Sequence, residues 1–142
     1  ISVLYLDLDG FKPINDLHGH AIGDEVLRII AIRLTRAVRT GEVVRRLGGD
    51  EFACLVADRL EQEQLARLAG KLFDAVSVPL TVGEVRLSVT PSIGIATHLD
   101  ERAEPDALLQ RRLGDVPRQA RAMRAQCGIA FCEEVAPSVS CA

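Results

Sequence analysis

Three observations predict an α+β fold with a mainly antiparallel central sheet flanked by helices. Short apolar runs and longer amphipathic stretches mix without strict alternation, which disfavours a doubly wound parallel sheet. Two neighbouring runs, residues 43–47 and 52–57, are joined by a Gly-Gly turn of the kind that closes hairpins. The chain has 142 residues, 48% apolar and 26% charged, enough for one domain with its own core.

Residues 1–8 read as a buried strand of Ile, Val, Leu and Tyr, and Asp9-Gly10 ends it. Residues 12–22 read as loop or a short helical turn. Residues 24–39 form an amphipathic helix with Val26, Leu27, Ile30, Leu34, Ala37 and Val38 on one face; Arg28, Arg33 and Arg36 lie away from it. Gly23 is expected just before this helix, with Asp24 and Glu25 in its positive first turn and Gly41 beyond its end. After the hairpin, residues 61–76 form a second helix with Leu65, Leu68, Ala69, Leu72 and Phe73 inward. Residues 80–82 and 84–87 suit a small hairpin around Gly83. Residues 88–97 alternate as a strand through Val89, Ile93 and Ile95, while Pro91 and Gly94 predict a bulge or an edge position. A third helix is expected from Pro105, faltering at Gly114 and Pro117 and resuming over 118–124, before a last strand over 128–132.

The net charge of -3 argues against general binding to nucleic acid or to an anionic membrane. No apolar run approaches a bilayer span, and no basic stretch precedes the first run, so neither direct membrane insertion nor a signal peptide is expected. Cys54, Cys127, Cys132 and Cys141 match no zinc or Cys-x-x-Cys spacing and read as reduced thiols of an intracellular protein. His18 and His20, one residue apart with no cysteine nearby, read as loop or capping residues.

Carboxylates mark two probable strand ends: Asp7-Leu8-Asp9, and Asp50-Glu51 within Gly48-Gly49-Asp50-Glu51-Phe52. Each alone has a bland reading, an Asp that ends a strand and a turn that reverses the chain. Brought together, such charges are costly to desolvate without a cation. Mg²⁺ uses one or two protein carboxylates and completes its shell with phosphate oxygens and water, which points to nucleotide chemistry. The Gly10-Phe11 backbone could approach phosphates closely, and Lys12 could neutralise one, or be a solvated loop lysine. A carboxylate at Asp24 would accept from N1–H and N2–H₂ of guanine, with Asn15 completing the pattern; its plainer reading is a helix cap.

The segments Leu4-Tyr5-Leu6-Asp7-Leu8-Asp9-Gly10-Phe11-Lys12-Pro13-Ile14-Asn15-Asp16, Gly19-His20, Gly23-Asp24-Glu25-Val26-Leu27 and Arg46-Leu47-Gly48-Gly49-Asp50-Glu51-Phe52, in this order, resemble the GGDEF family of diguanylate cyclases. Ser92-Ile93-Gly94-Ile95-Ala96 is similar to that family's later strand. The resemblance implies a sheet like the palm domain of adenylyl cyclases and polymerases, and a reaction in which two GTP form cyclic di-GMP and two pyrophosphates. It implies Mg²⁺ or Mn²⁺ held by Asp7, the Leu8 carbonyl and Asp50, with Glu51 completing the acidic site. Asp50 or Glu51 would assist deprotonation of the 3′-hydroxyl. Asn15 and Asp24 would bind guanine; Gly10, Phe11 and Lys12 would lie near the triphosphate. Each domain would hold one GTP, so a homodimer is implied. A cytoplasmic setting is expected, free or within a larger membrane-tethered protein.

Three departures from the family pattern stand out. An inhibitory Arg-x-x-Asp site for product aligns with Arg39-Thr40-Gly41-Glu42, so Arg39 and Glu42 form at best a degenerate version. The family's phosphate-gripping Lys and Arg near the C-terminus are replaced by Arg121 and Arg124, one residue too close together, and Arg is not a neutral exchange for Lys. The helix and Leu-Thr-Gly-Leu-type motif that usually precede the first strand are absent, which suggests a trimmed chain rather than another fold. Residues 1–133 are taken as the domain and 134–142 as tail or linker. Cys132-Glu133-Glu134 resembles the junction to an EAL phosphodiesterase domain, so an attached EAL or sensor domain is an expected partner. Three readings follow: an active cyclase, a module that binds GTP or cyclic di-GMP and regulates its neighbour, or a ligand-free dimerisation domain.

Overall fold

The computed structural model describes residues 2–96 and 129–132. Its order is β1 (Ser2–Asp9), α1 (Phe11–His18), α2 (His20–Ala37), β2 (Glu42–Gly48), β3 (Glu51–Val56), α3 (Gln62–Ser77), β4 (Leu80–Val82), β5 (Val85–Leu87), β6 (Thr90–Ala96) and β7 (Ile129–Cys132). The main sheet runs β2-β3-β1-β6-β7, and β4-β5 is a separate hairpin. Every described pairing in the main sheet is antiparallel except β6 with β7. The predicted α+β class is therefore observed, with β1 at the centre.

One face of the sheet carries Leu4, Leu6, Leu8, Phe52, Cys54, Val56, Ile93 and Ile95, all buried. They belong to the same core as Val26, Leu27, Ile30 and Leu34 of α2 and Leu65, Leu68, Ala69, Leu72 and Val76 of α3. Fully burying one such leucine contributes about 1.5–3 kcal/mol. On the opposite face Val3, Tyr5 and Ala53 are buried too, which explains why β1 reads as an unbroken apolar run rather than an alternating one.

Two boundaries differ from expectation. The stretch expected as loop or a short helical turn holds the two-turn helix α1 and the start of α2. Gly10 adopts φ 72°, which turns the chain directly from β1 into the helix. Pro13 falls within the first turn, where a missing N–H is harmless, and Phe11 and Ile14 are buried. Gly19, at φ 90°, then breaks the chain, donating its N–H to the Asn15 carbonyl at 2.9 Å. α2 consequently starts at His20, so Gly23 lies inside it and Asp24 is beyond its first turn, not a cap.

The edge or bulge expected in β6 is not there: β6 lies between β1 and β7 and pairs with β1 without a register shift. Leu8 sends its N–H to Asp50 on the β3 side, so Pro91, opposite Leu8, occupies a pair with no hydrogen bond to lose. The register shift occurs instead in β2, between Arg46 and Gly48. α3 opens with a capping box, the Glu61 N–H donating to Gln64 Oε1 at 2.9 Å. The C-terminal helix predicted from Pro105, including Arg121 and Arg124, lies outside the described residues.

α2 and α3 are tied at one end by Arg33. Its guanidinium donates to the Val78 carbonyl and, at 3.1 Å, to the Pro79 carbonyl, placing a cation at the negative C-terminus of α3. Arg33→Ala is expected to lower unfolding free energy by about 1–2 kcal/mol in urea titration, with the slope unchanged.

Cys54 is a free thiol on β3, fully buried. Burial, aided by the Glu42 charge, pushes its pKa from about 9 up to about 12. The fold thus favours the neutral thiol: this contribution to stability is whole below about pH 9 and is lost as pH rises toward about 12. At pH 8 iodoacetamide should leave Cys54 unlabelled in the native protein and label it in urea, as read by peptide mass mapping.

Candidate functional site

The site is built where β1, β3 and the start of α1 meet. In the β1–β3 ladder Asp7 stands directly opposite Glu51. Leu8 N–H donates to the Asp50 carbonyl at 3.1 Å, so Leu8 is the hydrogen-bonded position and Asp7 the adjacent narrow one. In a narrow antiparallel pair the α-carbons are about 4.5 Å apart and the side chains share a face. Two carboxylates are thereby set side by side, both half-buried.

Like charges directly opposite on a sheet destabilise it by up to about 1 kcal/mol, a repulsion that a bound cation would relieve. The backbone adds an oxygen. In a strand a residue's carbonyl points the same way as its N–H, so Leu8 C=O faces the Asp50 segment. The return bond from the Asp50 N–H is not formed among the described residues, which leaves that oxygen free of its strand partner. No group of three or more His, Cys, Asp or Glu side chains among the described residues could by itself hold a metal. The donor set fits Mg²⁺, which needs few protein carboxylates when phosphate oxygens and water complete the shell.

The signature turn is held by its own strand. Gly48 and Gly49 adopt φ 148° and 52°, so this backbone is pliant. Arg46 Nε donates to the Gly49 carbonyl at 3.0 Å and braces it. Asp9, which shares the face of Asp7, accepts from the Ser92 hydroxyl on β6 at 2.8 and 3.0 Å.

Gly10, Phe11 and Lys12 are the N-cap and first residues of α1, immediately after the acidic strand end. The first amides of a helix have no internal partner and attract anions. Phe11 is buried in the core, leaving its backbone for that role, and Lys12 is exposed. Asn15, on α1, packs against Gly23 of α2, next to Asp24 in sequence; Asp24 is exposed. Asn15 Oδ1 is buried with no hydrogen-bond partner among the described residues. Such an orphan costs about 1–3 kcal/mol and asks for a reason.

Arg39, in the turn after α2, and Glu42, the first residue of β2 and paired with Val56, lie at the other end of the sheet from this site. The Glu42 carboxylate accepts from the Arg39 N–H at 2.9 Å, and the Glu42 N–H donates to the Arg39 carbonyl at 3.1 Å. In the sequence Arg46 is only a motif letter, and Gly23 reads as the residue before a helix. Their roles, a brace on the turn and a seat for Asn15, depend on contacts that the one-dimensional pattern does not display.

Residues 1–132 match the family model described as "Diguanylate cyclase, GGDEF domain". The chain belongs to the GGDEF family. This GGDEF domain is 42% identical over 97 residues to the bifunctional diguanylate cyclase/cyclic di-GMP phosphodiesterase MucR of Pseudomonas aeruginosa, covering 68% of the chain and 14% of MucR. It is 44% identical over 114 residues to the response regulator PleD of Caulobacter vibrioides, covering 78% of the chain and 25% of PleD. The crystal structure of the GGDEF domain of TpbB (YfiN) from Pseudomonas aeruginosa superposes with a TM-score of 0.78 at 36% identity, covering 94% of this chain and 82% of that one. The GGDEF domain therefore spans only a small part of the two full-length relatives.

The brace on the turn is testable without any ligand. Arg46→Ala should speed amide hydrogen exchange at Leu8, whose N–H donates to the Asp50 carbonyl, at least severalfold, while exchange in α3 stays unchanged; an equal rate at Leu8 would show that Arg46 does not hold the turn.

Proposed function

We propose that this GGDEF domain is a diguanylate cyclase that condenses two GTP into cyclic di-GMP. The carrying observation is the register of β1 on β3, which sets Asp7 opposite Glu51 and docks Asp50 on Leu8. In the reaction the 3′-oxygen of each GTP attacks the α-phosphorus of the other. A new P–O bond forms to each 3′-oxygen, the bond to each β-phosphate oxygen breaks, and two pyrophosphates leave.

Asp7, the Leu8 carbonyl and Asp50 would hold Mg²⁺ or Mn²⁺. When bound, that ion neutralises charge on the α-phosphate and leaving group and makes the 3′-hydroxyl more acidic. Asp50 or Glu51 accepts the hydroxyl proton. The α1 amides at Gly10 and Phe11, with Lys12, hold the triphosphate at the helix N-terminus. Asn15 and Asp24 select guanine, and Arg121 and Arg124 would add positive charge at the terminal phosphates. One site holds one GTP, so two domains meet face to face; alignment of the two reactants supplies much of the rate. Arg39 and Glu42 chiefly close a turn in this reading, with product feedback weak at best.

We take the domain to end near residue 133 and to work in the cytoplasm, free or within a larger membrane-tethered protein, because GTP is there. The similarity to MucR, a bifunctional cyclase and phosphodiesterase, favours one alternative: a module that binds GTP or cyclic di-GMP and regulates an attached EAL domain.

Incubation with GTP and Mg²⁺ or Mn²⁺, followed by chromatography, separates the two. Cyclic di-GMP and pyrophosphate should appear in a 1:2 ratio set by the reaction's stoichiometry. Asp50→Ala should reduce the rate by about 10²-fold or more. Saturable GTP binding with no product would favour the regulatory module.

A further inference from the structure

Gly23 sits inside α2, where glycine is less favourable than alanine. It is buried, and its φ is not among the positive ones, so backbone freedom does not explain it. Space does. A Cβ built there would lie 1.7 Å from Asn15 Oδ1 and 2.8 Å from Asn15 Cγ. The next neighbour, Phe11 Cζ, would be 3.3 Å away, a tight but adjustable contact. The position is thus closed to a side chain by one group, the Asn15 amide.

That amide lies oxygen-inward in the structure. Its oxygen is the buried atom, packed on the bare face of Gly23 and without a partner among the described residues. Asn15 as a whole is only half-buried. With the oxygen turned inward, the Nδ2 group is the end left for a ligand. An N–H₂ donor then stands in the α1–α2 corner beside Gly23, which precedes Asp24 in α2.

We propose that Gly23 is a positioning residue for nucleotide specificity: it seats the Asn15 amide oxygen-inward, so that the site presents an amide donor from Asn15 to the base. This rests on the reading of Asn15 and Asp24 as the guanine site. A Cβ at Gly23 would expel the amide from its seat and misplace the donor, without removing any group that touches the nucleotide.

The test is calorimetric binding of GTP and of ATP with Mg²⁺, with no turnover required, on the full chain and four variants. Gly23→Ala should weaken GTP by about tenfold, the worth of one misplaced hydrogen bond, and leave the weaker ATP binding within about twofold. In an Asn15→Ala background the same Gly23 change should alter GTP affinity by less than about twofold, because the displaced group is already gone. Asn15→Asp, which keeps the shape of the side chain, replaces the donor by an acceptor and should also weaken GTP by at least about tenfold. It keeps the proposal decidable if Gly23→Ala does not fold.

An equal loss from Gly23→Ala with and without Asn15 would overturn the proposal, as would GTP affinity unchanged in Asn15→Asp. Loss of GTP and ATP binding in equal proportion would also count against it, since it would mark a general packing role. If Asn15→Ala binds GTP like the parent, or the parent binds no GTP, the guanine-site reading itself fails, and the seat loses its purpose.

Discussion

The register of β1 against β3 is the constraint on which the remainder depends. A single hydrogen bond, Leu8 N–H to the Asp50 carbonyl, marks where the signature turn docks on the central strand. Side chains alternate along a strand, so a slip of one residue would carry Leu4, Leu6 and Leu8 out of the core and Asp7 into it. Burial of the apolar face therefore fixes the placement of the acidic face. The core residues Phe52 and Cys54 pair with Leu6 and Leu4, and that pairing dictates that Glu51 faces Asp7. Two carboxylates are held together by hydrophobic energy spent some distance away.

Glycines convert this rigid ladder into a site. Gly10 turns the chain straight from the acidic strand end into α1, which sets free helix amides next to the carboxylates. Gly19 reverses the chain between α1 and α2 with almost no linker, so the two helices form a corner. Gly23 lets them approach closely enough for Asn15 to lie between them. Gly48 and Gly49 make the hairpin turn tight, and Arg46 restrains the pliancy they introduce. The contacts proposed for cation, anion and base each fall on a different short segment.

The rest of the fold supports that convergence. α2 and α3 cover the apolar face and are tied together by Arg33 at the C-terminus of α3. Ser92 on β6 engages Asp9, so the central strand is fixed from its other neighbour too. β6 tolerates Pro91 at the interior of the sheet because the β1 ladder makes no demand for its amide.

The class, the hairpin at Gly48-Gly49, the inward faces of α2 and α3, and the carboxylates at two strand ends are legible in the order of residues alone. These follow from local rules: apolar periodicity, glycine tolerance of positive φ, and the polarity of chain breaks. That order left loop or a short helical turn open where α1 forms, because Gly10 reads as the end of a strand when it also starts the helix. It also placed Gly23 and Asp24 at a helix start, since the reversal at Gly19 was not recognised. The interior position of β6, the pairing of Asp7 with Glu51 and the room that Gly23 makes for Asn15 emerge only in the folded chain. Those are relations between segments far apart in the chain or crossing at a corner. Their free energy lies in packing and register, which no single stretch of residues contains.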